Sequence, residues 1–217
     1  MNSWQEYVLN CFPKERFYNF PVEKIDSSIG MKRLATHDLL VQEVTESNIV
    51  MAPACLSLLF RPKVIVEMGV HHGWTTLLLC KLNPEARVHA VDVRTVVEKS
   101  GNPTGYIPLM HKVNNLSLHI MNSWDLKMRG EVDLCLIDAD HTLPAVEKDT
   151  WTAWENRNKD GDWCIAWDDY RPTDPDVQST VDKFCMEVGY PLQKIGTWVW
   201  IGTKTNLGEI QWSKSST

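Results

Sequence analysis

The sequence has no CxxC pair, no cysteine–histidine spacing of a zinc site, no lysine–arginine run and no apolar stretch long enough to span a bilayer. Its six cysteines are scattered at positions 11, 55, 80, 135, 164 and 185. Cys80, Cys135 and Cys164 fall inside apolar runs, as buried free thiols do, and this points to a reducing, cytoplasmic setting. Without a basic cluster, and with a formal net charge of −6, the chain lacks the electrostatic footprint of a nucleic-acid binder. The opening residues MNSWQEYVLNCFPKERF hold no basic segment followed by an apolar core, so no secretory signal is read there. Neither nucleic acid nor a membrane is expected as a partner. Repeats and low-complexity tracts are absent apart from a polar tail from Ser213.

What is present suits one α/β domain. The chain has 217 residues, 43% hydrophobic and 23% charged, enough to bury a sizeable core. Ten tryptophans is a high number for this length, and Trp4, Trp124, Trp163 and Trp167 lie where they could wall a pocket. Strand-length apolar runs occur at 63–68, 87–91, 118–121, 132–138, 163–167, 192–195 and 198–202. Helical patterns at 74–81, 143–156 and 176–187 separate them. This alternation predicts a doubly wound, mostly parallel sheet covered on both faces. The short Gly196-Thr197 link between the last two strands predicts a closing hairpin with one antiparallel strand. Residues 1–48, aromatic-rich and punctuated by proline, read as a helical extension or lid, with an amphipathic stretch near 33–46. The main domain is then 49–217. Thr95–Asn115, rich in glycine and proline, reads as a long functional loop.

The segment Val64-Ile65-Val66-Glu67-Met68-Gly69-Val70-His71-His72-Gly73-Trp74-Thr75-Thr76 has the form strand, glycine turn, helix start. Gly69 suits the positive φ of a sharp turn, and Gly73 suits close approach of a ligand to the backbone. Thr75 or Thr76 is placed to cap the helix, whose N-terminus favours an anionic group. His71 lies inside the turn and is taken as a cofactor contact. A dinucleotide site calls for GxGxxG, but Glu67 stands two residues before Gly69 and would repel a pyrophosphate. The same carboxylate would favour the sulfonium and α-ammonium of S-adenosylmethionine (SAM). The next strand ends at Asp92, where an acidic side chain can bind the two ribose hydroxyls.

Glu67-x-Gly69-x-x-x-Gly73 followed by Asp92 resembles the first two motifs of class I SAM-dependent methyltransferases, over most of the chain from about Ile49 to Lys204. That resemblance implies a Rossmann-like seven-stranded sheet with the last strand antiparallel. It also implies Glu67 and Gly69 near the methionyl end, Asp92 on the ribose, and Asn122–Asp125, including Ser123 and Trp124, beside the adenine.

Two further runs, Asp133-Leu134-Cys135-Leu136-Ile137-Asp138-Ala139-Asp140-His141 and Trp163-Cys164-Ile165-Ala166-Trp167-Asp168-Asp169-Tyr170, deliver carboxylates at the ends of adjacent strands. Neighbouring strands lie about 5 Å apart, so the four aspartates are expected to converge. Like charges held that close destabilise the fold unless a hard divalent cation such as Mg²⁺ joins them. Ile-Asp-Ala-Asp-His followed by Trp-Asp-Asp-Tyr resembles the metal-dependent sugar O-methyltransferases and the methyltransferase-24 and cephalosporin hydroxylase-like sequences. The resemblance implies Asp138, Asp168 and Asp169 as metal ligands and Asp140 as general base, with His141 the alternative base; Asp138 is assigned to the cofactor set as well. The function expected is O-methylation of a small-molecule hydroxyl of sugar or natural-product type. The alternatives are metal-independent transfer to nitrogen, sulfur or carbon, or SAM binding without turnover. A homo-oligomer is compatible with the sequence. His89, His111, His119 and Asp149 are read as structural or surface residues.

Overall fold

The computed structural model describes residues 51–98, 100–195 and 198–204. The N-terminal extension expected over 1–48, with Trp4, Cys11 and the Gly196-Thr197 link, lies outside the described residues.

The elements in chain order are α1 (Met51–Phe60), β1 (Val64–Met68), α2 (Trp74–Leu82), β2 (Arg87–Asp92), α3 (Tyr106–Met110), β3 (Leu116–Ile120), a 3₁₀ turn (Ser123–Asp125), β4 (Leu134–Ile137), α4 (Leu143–Asn156), β5 (Cys164–Trp167), α5 (Pro175–Val188), β6 (Gln193–Ile195) and β7 (Trp198–Gly202). They form one seven-stranded sheet of order β3-β2-β1-β4-β5-β7-β6. The first five strands run parallel, while β7 is antiparallel to both β5 and β6. The expected doubly wound sheet and its antiparallel closure are therefore observed.

Side chains alternate along a strand, and here the alternation builds two cores. Ile65, Leu134, Leu136, Ala166, Trp198 and Trp200 join Leu56 and Phe60 of α1 and Leu79 of α2 on one face. Val66, Cys135, Ile137, Ile165, Trp167, Val199 and Ile201 point the other way, toward Val146 of α4 and Val181 and Phe184 of α5. Each central strand is buried on both sides, which is why these segments read as unbroken apolar runs. Trp163 and Trp167 belong to this core and do not wall a pocket: Trp163 packs edge-on to Trp154, and Trp167 Nε1 donates to Thr150 Oγ1 at 2.9 Å. The described cysteines Cys80, Cys135, Cys164 and Cys185 are free thiols, and they and Cys55 are buried.

Buried polar groups pin the loops below the sheet. Asp133 Oδ2 accepts from the backbone N–H of Lys63 (2.7 Å) and Val64 (2.9 Å), and its Oδ1 accepts from Asn158 Nδ2. Asn156 Oδ1 accepts from Met128 and Arg129 N–H, while its amide donates to the Leu126 and Thr152 carbonyls.

Two local readings change. β3 begins at Leu116, two residues before the expected start, because its pairing with β2 sets its limits from Val88↔Leu116 to Asp92↔Ile120. The segment 95–115 is partly ordered, with a Val96↔Pro103 bridge and α3. Among the described residues no helix is long and apolar enough to cross a membrane.

Candidate active site

A cavity of about 770 Å³ opens at the carboxyl ends of β1, β2 and β4. Open parallel sheets bind ligands there, and the volume is in the range of small-molecule sites. Gly69, His71, Asp92, Ser123, Trp124, Asp138, Asp140 and His141 line it, so eight of the expected site residues share one space.

The glycine turn is shaped by the chain itself. Gly69 has φ +89°, and a Cβ there would lie 1.8 Å from the Asp138 carbonyl oxygen, so only glycine lets the turn pass the end of β4. Gly73 has φ +87°, and its would-be Cβ meets Pro108 Cδ at 2.6 Å. The space beside Gly73 is thus taken by the chain's own α3 segment, not by a ligand. Gly73 is also the N-cap of α2 and there is no side-chain cap, which corrects the capping role given to Thr75 or Thr76. Neither Gly73 nor Thr75 lines the cavity. His71 adopts φ +51°, an unusual conformation for a residue with a side chain, held where the turn faces the cavity. His72 is buried against His71 and Tyr106, and burial depresses its pKa.

Asp92 ties the turn to β2. Its Oδ2 accepts from Val70 N–H (3.0 Å) and His71 N–H (3.1 Å), and its Oδ1 accepts from Arg94 N–H at 2.9 Å. A carboxylate has about four acceptor sites, so capacity remains for a ligand hydroxyl.

Glu67 is placed differently from its expected role. It is 3% exposed, lies behind the cavity wall and accepts a hydrogen bond from the Thr76 hydroxyl. Burial pushes its carboxyl up to about 8, against the pull of Thr76, and the charges of Asp138 and Asp92 add to the rise. The carboxyl therefore keeps its proton to a higher pH than an exposed glutamate does.

The acidic motif ends in a compact ionic knot. His141 Nδ1 is 3.3 Å from Asp169 and 3.8 Å from Asp174, and its Nε2 is 3.8 Å from Asp138. His141, Asp169 and Asp174 offer ligand atoms within 4.8 Å of one another, a donor set that fits a divalent cation. Arg171 also enters, at 2.6 Å from Asp169 and 2.7 Å from Asp174. Neither Asp174 nor Arg171 was among the expected ligands; they lie 33 and 30 residues beyond His141 in sequence. Asp168 is buried, with Oδ1 accepting from Asp169 N–H, and it is outside the three-residue group. Asp140 is exposed at the cavity edge and accepts from Thr142 N–H at 2.9 Å. The carboxylate of Asp138, 3.8 Å from Nε2, is the main reason the imidazole is held above its ordinary pKa; burial opposes this, and Asp169 adds to it.

Asp149 requires a correction. Far from being a surface residue, it is 1% exposed, lines the cavity and accepts a hydrogen bond from the Ser123 hydroxyl. Its spacing on α4 with buried Ala145 and Val146 was the available signal.

The 3-2-1-4-5-7-6 sheet, with a glycine turn after β1 and an acidic residue closing β2, is the Rossmann-like methyltransferase fold that the resemblance implied. Residues 66–170, just under half of the chain, match the methyltransferase-24 family, described as a methyltransferase domain, and the protein is a SAM-dependent methyltransferase. No curated protein matches the chain. The solved O-methyltransferase NovP superposes with a TM-score of 0.56 at 12% identity, covering 75% of this chain and 82% of that one. The calicheamicin methyltransferase CalS11 gives 0.54 at 14% identity, covering 93% and 90%. A SAM-dependent O-methyltransferase from Thermotoga maritima gives 0.51 at 14%, covering 71% and 65%. At these identities the likeness establishes a shared fold.

Proposed function

We propose that the protein transfers the SAM methyl group to a hydroxyl of a small molecule of sugar or natural-product type, with a divalent cation of the Mg²⁺ class. The observation that carries this reading is the continuity of one cavity from Gly69 and Asp92 to Asp138, Asp140 and His141. It joins a cofactor end to an ionisable end without a barrier. Asp92 would bind the ribose hydroxyls and the glycine turn the methionyl end. Asp138, Asp169 and His141, with Asp174, would hold the cation, which when bound lowers the pKa of an acceptor hydroxyl. Asp168 is kept as a further ligand candidate.

The chain's own groups then handle the proton. An aliphatic hydroxyl is a weak nucleophile near pH 7, and Asp140 at the cavity edge is placed to take its proton. As the oxygen–carbon bond forms, the sulfur–carbon bond breaks, and S-adenosylhomocysteine (SAH) leaves with the sulfur lone pair. Positioning in the cavity supplies much of the acceleration. NovP is named as an O-methyltransferase and CalS11 as a calicheamicin methyltransferase, which supports transfer to the hydroxyl of a natural-product acceptor.

One observation favours a second reading, metal-independent transfer. Arg171 pairs with both Asp169 and Asp174, and His141 faces the same two carboxylates, so their mutual repulsion is offset without a cation. Calorimetry with SAM and with NAD, followed by turnover with and without EDTA, separates the two. SAM binding and EDTA-sensitive turnover are expected. NAD binding in place of SAM refutes the cofactor reading, and EDTA-resistant turnover leaves the metal-independent mechanism.

A further inference from the structure

The turn after β5 brings a positive charge of its own to the acidic knot. Arg171 Nη2 lies 2.6 Å from Asp169 Oδ1, and its Nε lies 2.7 Å from Asp174 Oδ2. The other oxygens of the same two carboxylates, Asp169 Oδ2 and Asp174 Oδ1, face His141 Nδ1. Each carboxylate is thus shared between one guanidinium and one imidazole. Both contacts of the guanidinium fall on residues that the reading above gives to the cation.

The two carboxylates are placed by the backbone, without help from the Arg171 side chain. Arg171 N–H donates to the Asp169 carbonyl at 2.8 Å, and Asp174 N–H donates to the Arg171 carbonyl at 2.9 Å, which closes the turn. Asp174 is also the N-cap residue of α5, and the Thr173 hydroxyl donates to its Oδ2 at 2.9 Å. The Arg171 side chain is 47% exposed, against 19% for Asp169 and 23% for Asp174. The fold therefore holds the carboxylates, while the guanidinium can swing into water at small cost.

We propose that Arg171 is a built-in competitor for the divalent cation, paired with its ligands in the unloaded protein and displaced outward on loading. This inference rests on the cation reading above. A carboxylate oxygen has lone pairs for both partners, but a guanidinium and a divalent cation on the same two carboxylates repel each other. The exchange accounts together for a donor set that suits a cation and for carboxylates that are already paired. It keeps those carboxylates paired before loading. It also lowers the apparent cation affinity by the fraction of molecules in which Arg171 has let go.

The test measures Mn²⁺ binding to the full chain without SAM, through loss of the free-ion electron paramagnetic resonance signal. Arg171→Gln keeps a hydrogen-bonding side chain and removes the charge. It should bind Mn²⁺ about tenfold or more tightly than the wild type, as a guanidinium engaged about nine-tenths of the time requires. Equal affinity, or weaker binding by Arg171→Gln, overturns the inference while the cation reading stands. Binding by neither protein overturns both, and binding by Arg171→Gln alone supports the inference. Should the variant not fold, the Arg171 Nε–H resonance of the native protein decides. A diamagnetic divalent cation that displaces bound Mn²⁺ should move it from a hydrogen-bonded position to that of a solvent-exposed arginine. A resonance that this cation leaves in place refutes the proposal.

Discussion

Replacing Glu67 by Gln removes one ionisable proton and little else, since glutamine keeps an oxygen for the Thr76 hydroxyl. The wild-type carboxyl titrates at an ordinary 4.5 when unfolded and at about 8 in the fold, mainly because it is buried. Between those values the folded protein holds a proton that the unfolded chain has lost, so stability falls as pH rises through the window. At about 1.4 kcal/mol per pKa unit, the carboxyl costs roughly 1 kcal/mol at pH 5 and roughly 4 kcal/mol at pH 8. Other groups titrate in the same range, and the difference between the two proteins isolates Glu67. Urea unfolding at pH 5 and pH 8 should show the wild type losing about 3 kcal/mol more than Glu67→Gln. The variant should be the more stable protein at pH 8. Parallel pH profiles would refute a neutral, buried Glu67.

Asp133→Ala should destabilise the fold by about 2–4 kcal/mol, because two strand-entry N–H groups lose their acceptor; a change under 1 kcal/mol in chemical denaturation would contradict this. Gly69→Ala places a methyl group on the Asp138 carbonyl at a left-handed φ, and loss of the native circular-dichroism spectrum is expected. Retention of fold and SAM binding would show the turn to be adaptable. Asp92→Ala should weaken SAM binding about 10-fold or more, and an unchanged Kd would remove Asp92 from the site. Asp140→Asn should lower kcat far more than it changes metal affinity, whereas the reverse pattern would make Asp140 a ligand.

Much of the fold was legible because its information is local. Burial of both faces of β4, β5 and β7 writes itself as apolar runs, and α4 was bounded correctly at Leu143 and Asn156. The glycine turn was legible for the same reason, since neighbouring strands bring Val70 N–H, just after Gly69, to the Asp92 carboxylate. The function given to Gly73 was not, because the atoms that fill its space belong to Pro108. The helix within 95–115 was hidden by its prolines and glycines and by its length of five residues.

By itself, then, the sequence determined a parallel sheet, a SAM-type turn at Val64–Asp92 and carboxylates at the ends of β4 and β5. Each rests on residue types at fixed short spacing, where backbone geometry leaves few outcomes. Only the tertiary structure decided how those carboxylates divide. It buried Glu67 away from the cavity, joined His141 to Asp169, Asp174 and Arg171, and brought Asp149 of α4 to Ser123 beyond β3. Those pairings depend on how helices cross the sheet, and burial and through-space charge, not spacing along the chain, set what each group can do.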